Sequence, residues 1–274
     1  MDLGADKRFR MTVVGASSMV GIAIAVYGFL TSYPEFLFHI YVSTAVIAFC
    51  LGLALIISLE ERRKELIDKS MPRFLRDIVE SHETGLTLIQ SLEESSHRDF
   101  GPLSTELRKL VTQLSWGVEF KEAFESWGKK LNTEMTEKIV PLILEAIYLG
   151  GNLKTVFLST EEFSKKILEM RDERKTQLRP YVMIIYSTVL VFLVIIVVLN
   201  TSFFNKITVS DSYFLKFPMS MDNFKGTLFD LAAIEAFFGG LVAGKISQGR
   251  ILSGIKHSVI LLIVTQIVFN VFMM

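Results

Sequence analysis

The sequence has a single cysteine, Cys50, among its 274 residues. No internal disulfide can form, and thiol usage says nothing about the redox compartment. Cys50 lies in an apolar run, where a lone cysteine packs as a small hydrophobe. The four histidines, His39, His82, His97 and His257, have no ligand spacing to one another or to Cys50, so no metal site is supported. Basic and acidic residues balance at 29 each. The chain therefore lacks the bulk positive field of a nucleic-acid binder. It has no nucleophile elbow and no dinucleotide-binding glycine loop, and His82-Glu83 is not followed by a second histidine four residues after the first. Gly239-Gly240-Leu241-Val242-Ala243-Gly244-Lys245-Ile246 comes close to a phosphate-binding loop. However, Ile246 stands where a serine or threonine is needed, and the segment follows an apolar helix instead of a strand. Its Gly240-xxx-Gly244 spacing suits close helix packing better. Neither an enzyme nor a cofactor is expected.

Charge is also scarce on both sides of a middle segment running from about Glu60 to Arg179. What fills those flanks is hydrophobic: half of all residues are apolar and the mean hydropathy is +0.42. Five runs come near the roughly 20 residues that a bilayer core requires. They cover residues 12–31, 37–59, 181–204, 228–246 and 255–273. The first two are joined by Ser32-Tyr33-Pro34-Glu35, with Tyr33 at interface depth, and read as a helical hairpin. The first run is too long, and too soon followed by a second, for a cleavable signal peptide. The fourth run holds Asp230, Glu235 and three glycines, so a tilted, enclosed or re-entrant segment is open there.

If the five spans alternate, the basic clusters fall on one side. These are Lys7-Arg8-Arg10, Arg62-Arg63-Lys64, Arg171-Arg174-Lys175-Arg179 and Lys245-Arg250-Lys256. The N-terminus, the middle domain and the 247–254 loop are then cytoplasmic, in a multi-pass protein of the cell membrane. The Pro34 turn, the loop around Ser202–Thr227 and the C-terminus face the other side.

The middle segment reads as all helix, with helices over 72–83, 87–98, 102–115, 119–130, 134–149 and 153–178, the last running into the third span. Pro72 and Pro102 suit first turns, whereas Pro141 should kink its helix or shift its start. A glycine stop followed by a short amphipathic helix recurs at Gly85, Gly117 and Gly150-Gly151, about a third of a hundred residues apart. Thr87, Glu119 and Asn152 are placed to cap or charge-stabilise the helices that follow. Three helical hairpins result, packed through stripes such as Leu88 and Leu92, and Phe120, Ala123, Phe124 and Trp127. The fold class is thus all-α: about five transmembrane helices and one six-helix domain, divided as 1–59, 60–180 and 181–274.

The acidic pairs Glu60-Glu61, Glu93-Glu94 and Glu161-Glu162 read as solvated helix faces. Glu235 differs, because a carboxylate at membrane depth is a functional candidate by default. A transporter would use it for ion coupling. An assembly protein would use it to engage a charged group on a membrane-embedded client helix.

Several segments together resemble the type II secretion F-domain family, the platform proteins of type II secretion, type IV pili and the archaeal flagellum. FLRDIVESHETGLTLIQSLEES is similar to that family's first helical hairpin, LSWGVEFKEAFESW to its second and EAIYLGGNLKTVFLS to its third. RDERKTQLRPYVMIIY resembles the basic approach to the next span, and GLVAGKISQGRILSGIKHSVILLI resembles the archaellum assembly protein J branch. The resemblance covers about residues 60–274. It implies a non-enzymatic platform between a cytoplasmic secretion ATPase hexamer and pilin-like subunits, in contact with membrane lipid. On this reading Arg171, Arg174, Lys175, Lys245, Arg250 and Lys256 face the ATPase. Members of that branch carry two such domains in a longer chain, and this sequence has one. A homodimer would restore the pair. Transport through Glu235 and a membrane-tethered scaffold are the alternative functions.

Overall fold

A computed structural model describes residues 3–32, 36–204 and 221–273. It is 91% helical, with no strand among those residues. Nine α-helices follow in order: α1 Leu3–Ser32, α2 Phe36–Glu83, α3 Leu88–Ser96, α4 Pro102–Ser115, α5 Phe120–Leu131, α6 Glu134–Tyr148, α7 Leu153–Val198, α8 Met221–Gln248 and α9 Ile255–Met273. Leu199–Phe204 continues α7 as a π-helical turn, and Leu252–Gly254 forms a 3₁₀ turn before α9. Among the described residues, five helices are long and apolar enough to cross a membrane. The chain divides into two compact units, Met1–Ser58 with Gln177–Met274, and Leu59–Thr176.

Within the membrane unit, a buried cluster joins Ile47 and Cys50 of α2, Val189 and Leu193 of α7, Phe229 and Ala236 of α8, and Leu262 and Phe269 of α9. Small residues allow the closest approaches. A Cβ on Gly240 would collide with the backbone of Ser258, and one on Gly244 with the backbone of Gly254. This is the close packing that the Gly240-xxx-Gly244 spacing implies. Both glycines lie inside the continuous helix α8, where no phosphate-binding loop exists. The same continuity removes the re-entrant option for the fourth span. The Tyr33-Pro34-Glu35 turn and most of the loop after the third span lie outside the described residues.

The other unit is a bundle of α3–α6 with the C-terminal part of α2 and the N-terminal part of α7. Its core holds Phe74, Leu75, Leu92, Leu103, Leu107, Phe124, Trp127, Met135, Ile139 and Phe157, all almost fully buried. Phe124 stacks on Trp127 with ring centroids 5.0 Å apart, and Phe74 meets Trp127 at 5.8 Å. Of the Leu88/Leu92 and Phe120/Phe124/Trp127 stripes, Leu92, Phe124 and Trp127 are core, while Leu88 and Phe120 are partly buried and pack against it.

Two sequence readings are corrected. Pro72 does not begin a helix, because α2 runs unbroken from Phe36 to Glu83 with Pro72 inside it. An interior proline removes one backbone hydrogen bond and costs about 3 kcal/mol. Here it is offset by burying Ile67, Met71, Phe74, Leu75 and Ile78 along the same helix. Glu161 is not a solvated residue. It is buried, and Lys165 reaches it at 2.6 Å. Pro102 does occupy the first turn of α4, behind Gly101. Pro141 leaves the start of α6 in place at Glu134, since Thr133 and Thr136 form a capping box there.

Candidate functional site

The glycine stops fix the turns of the bundle. Gly85, Gly117 and Gly150 have φ of 95°, 82° and 76°, a left-handed conformation that costs other residues about 1–2 kcal/mol. At the end of α4 the Gly117 amide donates to Leu114 O at 3.0 Å and the Val118 amide to Gln113 O at 3.2 Å. At the end of α6 the Gly150 amide donates to Ile147 O at 3.1 Å and the Gly151 amide to Ala146 O at 2.9 Å. Both are full Schellman closures. Gly151 departs from the sequence reading in that it lacks the positive φ. It is small because a Cβ there would lie 2.8 Å from the Ala146 carbonyl oxygen. Thr87 closes a capping box with Gln90, and Asn152 Oδ1 accepts from the Thr155 amide at 3.3 Å. Glu119 sits at the N-cap of α5 without a side-chain cap bond.

Two sets of ion pairs mark the two ends of this bundle. At the end holding Leu59 and Thr176, Arg171 donates to Asp68 at 2.5 Å and to Glu134 at 3.3 Å. There Lys175 reaches Glu65 at 3.1 Å and Arg63 reaches Glu106 at 3.3 Å. The Lys69 hydrogen bond, followed by that of Lys175, holds the Glu65 carboxyl below its ordinary range. At the other end Lys154 pairs with Glu83 at 2.6 Å. This holds the Glu83 carboxyl low as well.

The sequence-predicted basic residues separate on this geometry. Arg171 and Lys175 already serve carboxylates of their own unit, whereas Arg174 is exposed and has no partner among the described residues. In the membrane unit Lys245 and Arg250 are exposed on either side of Gly249, where α8 ends with φ 75°. Lys256 is half-buried in the first turn of α9.

Sequence reasoning missed the apolar end of the bundle. Trp116, Tyr148 and Leu149, beside the Gly117 and Gly150 turns, are 79%, 87% and 76% exposed. A groove of about 980 Å³ runs between α5 and α6 from Phe120 and Tyr148 at this end to Asn132 and Thr136 at the other, with Val140 and Leu144 along it. Large aromatics left in water beside a groove mark protein-contact surfaces. The available signal was a bulky apolar residue directly before Gly117 and before Gly150, at the very end of a helix.

In the membrane unit His39 Nδ1 lies 3.0 Å from Asp230, and Tyr186 Oη 2.9 Å from His257 Nδ1. Gln266 donates to Thr44 at 2.6 Å. Glu235 is half-buried and has no hydrogen-bond or ion-pair partner among the described residues.

Residues 74–200 match the family described as Type II secretion system (T2SS), protein F. The chain is 25% identical over 211 residues to an uncharacterized protein of Methanocaldococcus jannaschii, covering 77% of this chain and 34% of that one. It is 26% identical over 127 residues to the Flagella accessory protein J of the same organism, covering 46% of this chain and 22% of the relative. The chain thus spans about a third or less of the length of these relatives. No solved structure matches.

Proposed function

We propose, from the premise that residues 74–200 are a domain of the type II secretion system protein F family, that this multi-pass membrane protein is a platform for assembly of a type IV pilus-like filament. It binds a cytoplasmic secretion ATPase and passes the motion of that ATPase to pilin-like subunits in the bilayer. The family match carries the reading. The similarity to a Flagella accessory protein J supports the archaellum-like branch within it.

The chain has the parts such a coupling needs. α2 and α7 are single helices that include both an apolar span and part of the bundle core, so the covalent path between the two is regular helix. The positive-inside bias puts the bundle and the 247–254 turn on the cytoplasmic side. The ATPase meets the bundle at its Trp116/Tyr148 end, where burying exposed aromatics gives affinity. Arg174, Lys245 and Arg250 add charge contacts that speed docking and anchor the protein to anionic lipid. Arg171 and Lys175 serve mainly to hold the bundle itself together. A homodimer supplies the second F domain, and a purely monomeric protein in detergent would count against that part of the reading.

The test is co-purification of the full chain in detergent with the host's secretion ATPases. Wild type should retain one ATPase, and Trp116→Ala with Tyr148→Ala should release it. Arg174→Glu should weaken retention in a salt-dependent manner. If no secretion ATPase binds the wild type, the reading fails.

A further inference from the structure

We propose that Glu235 and the open face of α8 form a docking site, within the membrane, for a transmembrane helix of another protein that carries one cationic group at mid-bilayer depth. The proposal rests on the platform reading for the identity of such a client, but its observations stand in the membrane unit alone.

Glu235 lies near the middle of the Phe224–Gln248 span. At 1.5 Å per residue it is roughly 16–20 Å from either end, too deep for a short carboxylate side chain to reach the interface. Charged residues at that depth are costly and nearly always paired or turned to a polar cavity. The neighbouring acid of the same helix follows that rule, since Asp230 is held by His39 at 3.0 Å. Glu235 does not follow it, having no partner among the described residues.

The surroundings of Glu235 show where a partner would come from. One face of α8 is filled: Ala232, Ala236 and Ala243 are fully buried, and Gly240 abuts Ser258 of α9. Gly239, one turn after Glu235, faces α7: a Cβ there would lie 3.5 Å from Ile185 and from Val189. The other face is uncovered. Leu231, Ile234, Phe238 and Val242 are more than half exposed and recur at helical spacing along the span. Glu235 stands on the shoulder between the filled face and this open apolar stripe. A helix packed on the stripe would bring a side chain or amine of its own against the carboxylate. The strongest complement of a carboxylate in hydrocarbon is a cation, and an apolar or anionic group at that depth would leave it unpaired.

The test reconstitutes the full chain in lipid vesicles with a labelled synthetic leucine-rich transmembrane peptide bearing one central lysine, and measures association by energy transfer. An all-leucine peptide of equal length is the control. The lysine peptide should bind wild type roughly 5- to 30-fold more tightly than the control peptide does, the range expected for one polar contact between helices. Glu235→Leu should abolish that preference, and Glu235→Gln, which keeps the size and a carbonyl acceptor but not the charge, should retain only part of it. Equal binding of the two peptides to wild type, or an undiminished preference in Glu235→Leu, would overturn the proposal. So would Glu235-dependent self-association of the chain that excludes the lysine peptide, because the occupant would then be a second copy. None of these results bears on ATPase retention, so failure here is distinguishable from failure of the platform reading.

Discussion

Replacing Arg171 with alanine should destabilise the helical bundle far more than replacing its neighbour Lys175. Asp68 is buried. Its Oδ2 accepts from Arg171, while Oδ1 has no hydrogen-bond partner among the described residues. Without Arg171 neither oxygen of an enclosed carboxylate has a partner and its charge is uncompensated, a loss of about 3–5 kcal/mol for a fully buried pair. The Arg171 side chain is 32% exposed, so water will refill part of the gap and a figure near 2–3 kcal/mol is expected. Lys175 and Glu65 are each almost half exposed, and Lys175→Ala should cost below about 1 kcal/mol. Amide exchange of the full chain in detergent reads the difference. Protected amides around Phe74 and Phe157 should exchange roughly 30- to 150-fold faster in Arg171→Ala and less than about 5-fold faster in Lys175→Ala. Asp68→Asn combined with Arg171→Ala should lose less than the two single changes added. Equal effects at 171 and 175 would refute the argument that burial decides which pair matters. The consequence for function is practical. A charge reversal at Arg171 weakens the fold and cannot map a partner, whereas one at Arg174 can.

Three further outcomes follow from the geometry. Gly117→Ala and Gly150→Ala should each lower bundle stability by about 1–2 kcal/mol through their positive φ, and thermal unfolding at unchanged ATPase-binding stoichiometry checks this. Gly244→Leu should break the packing of α8 on the Leu252–Gly254 turn, because the added side chain meets the Gly254 backbone. Proteolysis in vesicles should then cut the 249–254 turn faster, while Val242→Leu on the open face leaves it unchanged. Glu65 contributes through a depressed carboxyl. Its contribution is present above the ordinary glutamate pKa of about 4.3 and is lost as pH falls through the lower folded value. Carboxyl-carbon NMR should show its titration returning toward the ordinary range in Lys69→Ala, and less so in Lys175→Ala.

The sequence made legible whatever depends on local periodicity. Spans of about twenty apolar residues, glycine stops and threonine caps act within one turn of themselves, and the five long apolar helices, the Gly85, Gly117 and Gly150 turns and the Thr87 box follow directly. What depends on contacts between distant residues was not legible. Pro72 reads as a helix start until the buried row from Ile67 to Ile78 is seen to hold the helix together across it. Glu161 reads as surface until its place in the bundle is known. Asn132, at φ 50°, takes the left-handed stop of α5 with no glycine to announce it. The basic residues near Arg171 form one cluster in the sequence, yet Arg171 is matched to Asp68 and Lys175 to Glu65, more than a hundred positions away. Only tertiary structure separates the residues that hold the fold from those left for a partner.

The platform reading is tested most directly by deleting the gene in its host and counting surface filaments by electron microscopy, with the wild-type chain and the Trp116→Ala/Tyr148→Ala variant returned in trans. Loss of filaments on deletion, recovery with wild type and no recovery with the variant at equal membrane abundance is the predicted result. Filaments in undiminished number and length after deletion, with every other system of the same class inactivated, would contradict it.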